Sequence, residues 1–162
     1  MILRSATSAD VEALLDVQEP GAVEGLGHIF SQDQYPFPRE AIGSRWLAEI
    51  VDPKINVYLY TEHGGTIRGF AAVRDHELLH FGTALDTWGT GLASGFHDVL
   101  LDATARRTTR PTLMLRVFEE NLRARRFYEK HGWQLTGRSS RTTFPPHPLL
   151  LEYNRRLTQS SR

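Results

Sequence analysis

Apolar residues fall in short clusters along the chain, and their spacing switches several times between a strand period and a helical one. Residues 1–6 read as a short strand. Thr7-Ser8-Ala9-Asp10 has the form of a capping box, and Val11, Leu14 and Leu15 follow at helical spacing. Residues 19–37, rich in Gly, Pro and aromatics, read as irregular. Pro38 suits the first turn of a helix that carries Ile42, Trp46, Leu47 and Ile50 and that Asp52-Pro53 ends. Ile55–Thr61 and Thr66–Arg74, joined through His63-Gly64-Gly65, give a hairpin signal. Residues 76–83 form a third apolar run whose period fits either a strand or a helix. A Gly-rich turn then opens a helix from about Leu92 to Arg107, with Phe96, Val99, Leu100 and Ala103 on one face. Thr112–Phe118 alternates as a strand, and Asn121–His131 is an amphipathic helix stopped by Gly132. Strands near Trp133–Arg138 and Leu149–Leu157 complete the pattern. Strands and helices alternate without a regular βαβ repeat, so the expected class is α/β (α+β), a mixed open sheet flanked by helices.

Length and charge narrow the classes of function. The 162 residues show no repeat and no low-complexity linker, so residues 1–162 are read as a single domain. Lys+Arg and Asp+Glu both number 19, which lacks the basic excess of a nucleic-acid partner. The absence of cysteine removes disulfides, thiolate metal sites and cysteine nucleophiles. No apolar run approaches the roughly 18 residues of a membrane span, and the start lacks the order of a signal peptide. A cytoplasmic protein without membrane contact is expected.

Two stretches carry candidate chemistry. In Trp88-Gly89-Thr90-Gly91-Leu92-Ala93 a tight turn opens a helix after a strand candidate. Free N–H groups at such a start attract anions, and glycine lets a phosphate approach the main chain; a plain strand-to-helix turn has the same form. No Gly-Lys-Ser/Thr follows, and Ser94 stands where a dinucleotide fingerprint has its third small residue. In Leu115–Asn121, Ala124, Phe127-Tyr128-Glu129-Lys130 and Gly132-Trp133, a strand leads to Asn121 as an N-cap and to Tyr128 on the inward helix face. Cap and core packing account for that pair equally well.

In this order and separation the two stretches resemble the GNAT superfamily of acyl-CoA-dependent N-acetyltransferases. That family's pattern is Arg/Gln-x-x-Gly-x-Gly/Ala after a strand, then a second strand leading to Asn-x-x-Ala-x-x-Phe/Leu-Tyr-Glu-x-x-Gly-Phe. The resemblance is sharpest over residues 77–133 and extends loosely to Leu3–Thr7, Gly64–Phe70 and Glu152–Arg155. It implies that main-chain amides from Trp88 through Gly89, Thr90, Gly91, Leu92 and Ala93 hold the coenzyme A pyrophosphate. It also implies that Asn121 contacts the pantetheine arm and that Tyr128 protonates the departing thiolate. Trp88 is read as the departure, standing for the family's Arg or Gln. The implied cosubstrate is acetyl-CoA and the implied partner a small-molecule or peptide amine; a homodimer stays open. Family members often place a basic carboxylate on the strand before the turn. Glu77 is the only carboxylate in the run His76–Leu85, with His80 as the rival base.

The same run spells His76-Glu77-Leu78-Leu79-His80, the H-E-x-x-H spacing of a zinc hydrolase, if it is a helix. As a strand it sets the two histidines roughly 13 Å apart, too far to share one ion. A third alternative is a domain that binds acyl-CoA without catalysis. Arg106, Arg107, Arg110, Arg123, Arg125 and Arg126 are read as solvated helix faces that could also reach a 3′-phosphate. Glu24, His28, Tyr35 and Phe37, with the Phe144–Pro148 loop, are placed beside the acceptor by analogy of fold.

Overall fold

In the computed structural model, which describes residues 1–158, the strands are β1 (Ile2–Ser5), β2 (Ile55–Thr61), β3 (Ile67–Arg74), β4 (Glu77–Thr83), β5 (Thr112–Phe118), β6 (Gln134–Arg141) and β7 (Leu149–Arg156). They form a mixed open sheet in the order β1-β2-β3-β4-β5-β7-β6. Every neighbouring pair is antiparallel except β4 and β5. The helices are α1 (Val11–Leu26), α2 (Arg39–Val51), α3 (Leu92–Ala105) and α4 (Leu122–Lys130).

Alternation along the strands builds two cores. In β2, Val57 and Leu59 face α1 and α2 and join Val11, Leu14, Leu15, Trp46 and Phe70. Tyr58 and Tyr60 face the other way and join Phe96, Leu100 and Tyr128, with Leu113, Leu115 and Val117 of β5. Trp46, Phe96 and Leu14 are fully buried, so α1, α2 and α3 are each pinned to the sheet by a large side chain. The amino-terminal helix start is fixed electrostatically. Asp10 accepts two 2.9 Å hydrogen bonds from Arg4 and one from the Thr7 N–H, and Arg4 is the main reason its carboxyl is held down at about 2.

Two parts of the sequence reading change here. Residues 19–26, expected to be irregular, continue α1 through Pro20 and Gly21 to Leu26. Proline inside a helix forfeits a hydrogen bond and costs about 3 kcal/mol, yet packing holds this turn. Gly21 and Gly25 let α1 approach the Trp88 ring so closely that added Cβ atoms would stand 3.5 and 3.3 Å from it. The ambiguous run 76–83 is strand β4, preceded by a turn at Asp75, and this removes the helical H-E-x-x-H geometry. On α3, Val99 is exposed while His97, absent from the expected face, is completely buried. Among the described residues no helix is long and apolar enough to cross a membrane.

Candidate active site

The site is built where two parallel strands part. β4 and β5 pair only at Glu77↔Met114 and Leu78↔Leu115; beyond these, β4 continues to Thr83 and β5 to Phe118 without pairing to one another. A bulge explains the divergence. Ala72 pairs with His80 and Val73 with Leu78, so Leu79 is an extra residue in β4. A bulge bends its strand and adds local twist. It also puts two consecutive side chains on one face: Leu79 packs in the α1–α2 core, and the His80 ring meets Trp46 edge-on at 4.9 Å. Phe81 returns to the opposite face and stacks on Phe96 at 4.9 Å.

At the far end of β4 lies the glycine turn. Gly89 and Gly91 have φ of +81° and +88°, in the left-handed region that favours glycine, and the space where a Cβ would stand is open at both. Among the described residues, no hydrogen-bond partner is found for the N–H groups of Gly89, Gly91, Ala93 and Ser94, while Gly95 N–H already reaches the Gly91 carbonyl. Those free donors converge at the start of α3, which is the arrangement that binds a phosphate. Trp88 follows a short 3₁₀ turn, Leu85–Thr87, and its indole N–H donates to the Thr83 carbonyl at 3.3 Å.

The second stretch lies after β5. Asn121 caps α4, its Oδ1 accepting from Ala124 N–H at 3.2 Å. Tyr128 is buried against Phe127 and Trp133, in the same core as Leu78, Phe96, Leu115 and Val117. Burial pushes its phenol well above the usual tyrosine range, so it stays protonated. Glu77 lies at the closed end of the parted strands, its carboxylate 2.7 Å from Arg116 and 3.2 Å from Arg74. His80 Nε2 lies 2.9 Å from Oε1 of Glu49. A carboxylate only accepts, so that bond leaves the lone pair of His80 on Nδ1. The expected candidates therefore divide, with the turn at one end of β4, Glu77 at the other and His80 on the α2 side between them.

The sequence model of the GNAT acetyltransferase domain matches residues 1–134. The chain belongs to the GNAT acetyltransferase family. Among solved structures it superposes on the PaiA N-acetyltransferase of Thermoplasma acidophilum in complex with coenzyme A (TM-score 0.74, 16% identity, 96% of this chain and 98% of that one). It also superposes on the spermidine N-acetyltransferase of Vibrio cholerae in complex with CoA and spermine (0.72, 14%, 96% and 95%). A third match is the ribosomal-protein-alanine N-acetyltransferase of Brucella melitensis (0.70, 18%, 97% and 100%). These superpositions establish a shared fold. No curated protein sequence matches the chain.

Set on Gly89 and Gly91, the GNAT pattern puts its Arg/Gln position at Asp86, which corrects the placement of the departure at Trp88. Asp86 is neutralised by Arg68 at 3.1 Å from both carboxylate oxygens. Of the residues placed beside the acceptor by analogy, Glu24 lies in α1 and Phe37 packs against the α1–α2 core, while the segment after α1 meets the residues that follow β5. His28 Nε2 bonds the Glu120 carbonyl at 2.8 Å, and Phe30 packs on Phe118 at 5.4 Å and on Phe144 at 6.1 Å. Sequence reasoning missed Glu49, His97 and the placement of Arg123 over Trp88.

His97, Asp98 and His131 bring ligand atoms within 4.8 Å of one another, a grouping that invites a metal. The hydrogen bonding excludes it. Trp133 Nε1–H, a donor only, gives its proton to His97 Nε2 at 3.0 Å, so Nδ1 must carry the hydrogen and has no lone pair to offer.

Proposed function

We propose that this protein moves an acetyl group from acetyl-CoA to a primary amine by direct attack, within a single domain spanning residues 1–162. The observation that carries the reading is the parting of β4 from β5 with a glycine turn of free N–H donors at its open end. The unpaired strand edges suit the amides of a pantetheine arm, and the turn suits a diphosphate. The coenzyme supplies an activated acyl thioester. Main-chain N–H groups of β4 beyond Leu78 polarise the carbonyl toward an oxyanion. The amine nitrogen then forms the new C–N bond and the C–S bond breaks. Asn121 holds the arm, and Tyr128, kept protonated by burial, hands the departing sulfur a proton that solvent replaces.

The amine's proton must also leave. Glu77 is the proposed acceptor, directly or through water, but Arg74 and Arg116 favour its charged form and weaken it as a base. His80, with its Nδ1 lone pair set by Glu49, is the specific alternative. Relatives named for spermidine and for ribosomal-protein alanine support a small-molecule or peptide amine as acceptor.

A panel of primary amines assayed with acetyl-CoA tests the reading, together with Gly91→Glu. The wild type should be thermally stabilised by acetyl-CoA and yield product with some acceptor. In Gly91→Glu a carboxylate at the turn should abolish the stabilisation, with circular dichroism checking that the fold withstands a side chain at φ +88°. Stabilisation without product from any amine would leave an acyl-CoA-binding module.

A further inference from the structure

From Leu85 to Ala105 the chain has no lysine or arginine and three aspartates, Asp86, Asp98 and Asp102. A coenzyme diphosphate docked on the Gly89–Ala93 turn would therefore meet N–H dipoles and no cation from its own segment, and the Arg68 that lies near Asp86 is already paired with it. The compensating charge comes from α4. The Arg123 guanidinium carbon lies 3.4 Å from the centroid of the Trp88 ring. No carboxylate among the described residues pairs with it, and partial burial holds its pKa below the usual arginine value.

Trp88 is itself fixed on its other sides. Its indole N–H is bound to the end of β4, and its ring edge rests in the gap that Gly21 and Gly25 leave in α1. A guanidinium stacked on an aromatic face keeps its N–H donors in its own plane, parallel to the ring, where they stay free for the fork-shaped contact that a phosphate accepts. We propose that Trp88 racks Arg123 beside the Gly89–Ala93 turn as the diphosphate-binding cation that the turn itself lacks. Trp88 is then a positioning residue, and Arg123 touches the ligand. The proposal rests on the acyl-CoA reading above and assigns its charge complement.

Calorimetric titration of the wild type, Arg123→Gln, Trp88→Leu and Arg126→Gln tests it, with coenzyme A, dephospho-coenzyme A and S-acetylpantetheine as ligands. Arg126, exposed on the same helix, removes the same charge without the stack. Arg123→Gln should weaken coenzyme A and dephospho-coenzyme A alike, by roughly 10–100-fold for a lost charge-assisted contact. Its affinity for acetylpantetheine, which has no diphosphate, should match the wild type. Trp88→Leu should shift affinity the same way, and Arg126→Gln should stay within about twofold of wild type, the small change expected of a screened surface charge.

Equal loss for acetylpantetheine, or a lowered melting temperature with unchanged coenzyme affinity, would make the stack structural only and overturn the proposal. A loss seen with coenzyme A but absent with dephospho-coenzyme A would move the contact to the 3′-phosphate and overturn the diphosphate assignment. A wild type that binds none of the three ligands would instead overturn the underlying acyl-CoA reading.

Discussion

Acidification should destabilise the fold through His97. The His97 side chain is 1% exposed, its Nε2 accepts from Trp133, and its Nδ1 has no hydrogen-bond partner. Burial lowers its pKa from 6.5 to about 4, with the neighbouring His131 and Arg155 adding to the shift and Asp98 opposing it. The folded pKa lies below the unfolded one, so the unfolded chain binds the proton more readily. Stability is fully present above pH 6.5 and is lost as pH falls toward 4. A gap of this size is worth on the order of 3 kcal/mol in all, of which about 2 should be gone by pH 5. Between pH 7.5 and 5 the contribution of Asp10 is constant, because its carboxyl titrates lower still. Urea unfolding followed by tryptophan fluorescence across this window reads the slope. In His97→Gln the amide keeps an acceptor for Trp133 and cannot take up a proton, so the slope should fall to the part left by His131, whose pKa burial also lowers. Equal slopes in wild type and His97→Gln would refute a buried neutral histidine at this position.

Two further outcomes bear on catalysis. Tyr128→Phe should lower turnover by roughly 10²–10⁴-fold with acetyl-CoA affinity little changed, the range of a lost proton transfer; near-normal turnover would return Tyr128 to core packing. Glu77→Gln should depress the rate at neutral pH, flatten the acidic limb of the pH profile and recover in part at high pH, where the amine loses its proton unaided. An unchanged profile there, with the same changes appearing in His80→Gln, would move the base to the His80–Glu49 pair.

Where local pattern and packing agree, the sequence was readable. The β2–β3 hairpin, β5 and the Asn121–Gly132 helix lie within a residue or two of their expected bounds, because alternation, caps and a glycine stop act over short spans. The failures share one cause, contacts with distant partners. Pro20, Gly21 and Gly25 argue locally against the second half of α1, and the ring of Trp88, some 65 positions away, packs against both glycines. The period of residues 76–83 was ambiguous because the bulge at Leu79 shifts the alternation by one, and a shifted alternation imitates helical spacing. His97 was absent from the expected face of α3, and its partner Trp133 lies 36 residues on. The glycine turn and the Asn121–Tyr128 stretch were visible as motifs, whereas the Arg123–Trp88 stack joins them in space and has no signature along the chain.

The parted strands raise a problem of their own, since unpaired edges tend to close on each other or collapse. Here aromatic side chains hold the gap from one side. Phe81, just past the bulge, stacks on Phe127 of α4 at 5.7 Å, and Phe127 packs in turn on His131 at 4.4 Å and on His97 at 5.6 Å. That row spans from β4 to α4 beneath the opening and fixes their separation. Tyr128 is the next residue after Phe127, so the spacing that keeps the groove open also sets where the proposed acid sits. His97 terminates the row through Trp133, which lies against Tyr128 at 5.8 Å. Protonating His97 would charge the end of the row that supports the groove. Folded His97 stays neutral down to about pH 4, so the row and the proposed acid keep their support across the window in which the fold weakens, and stability should fall ahead of turnover as the pH drops toward 5.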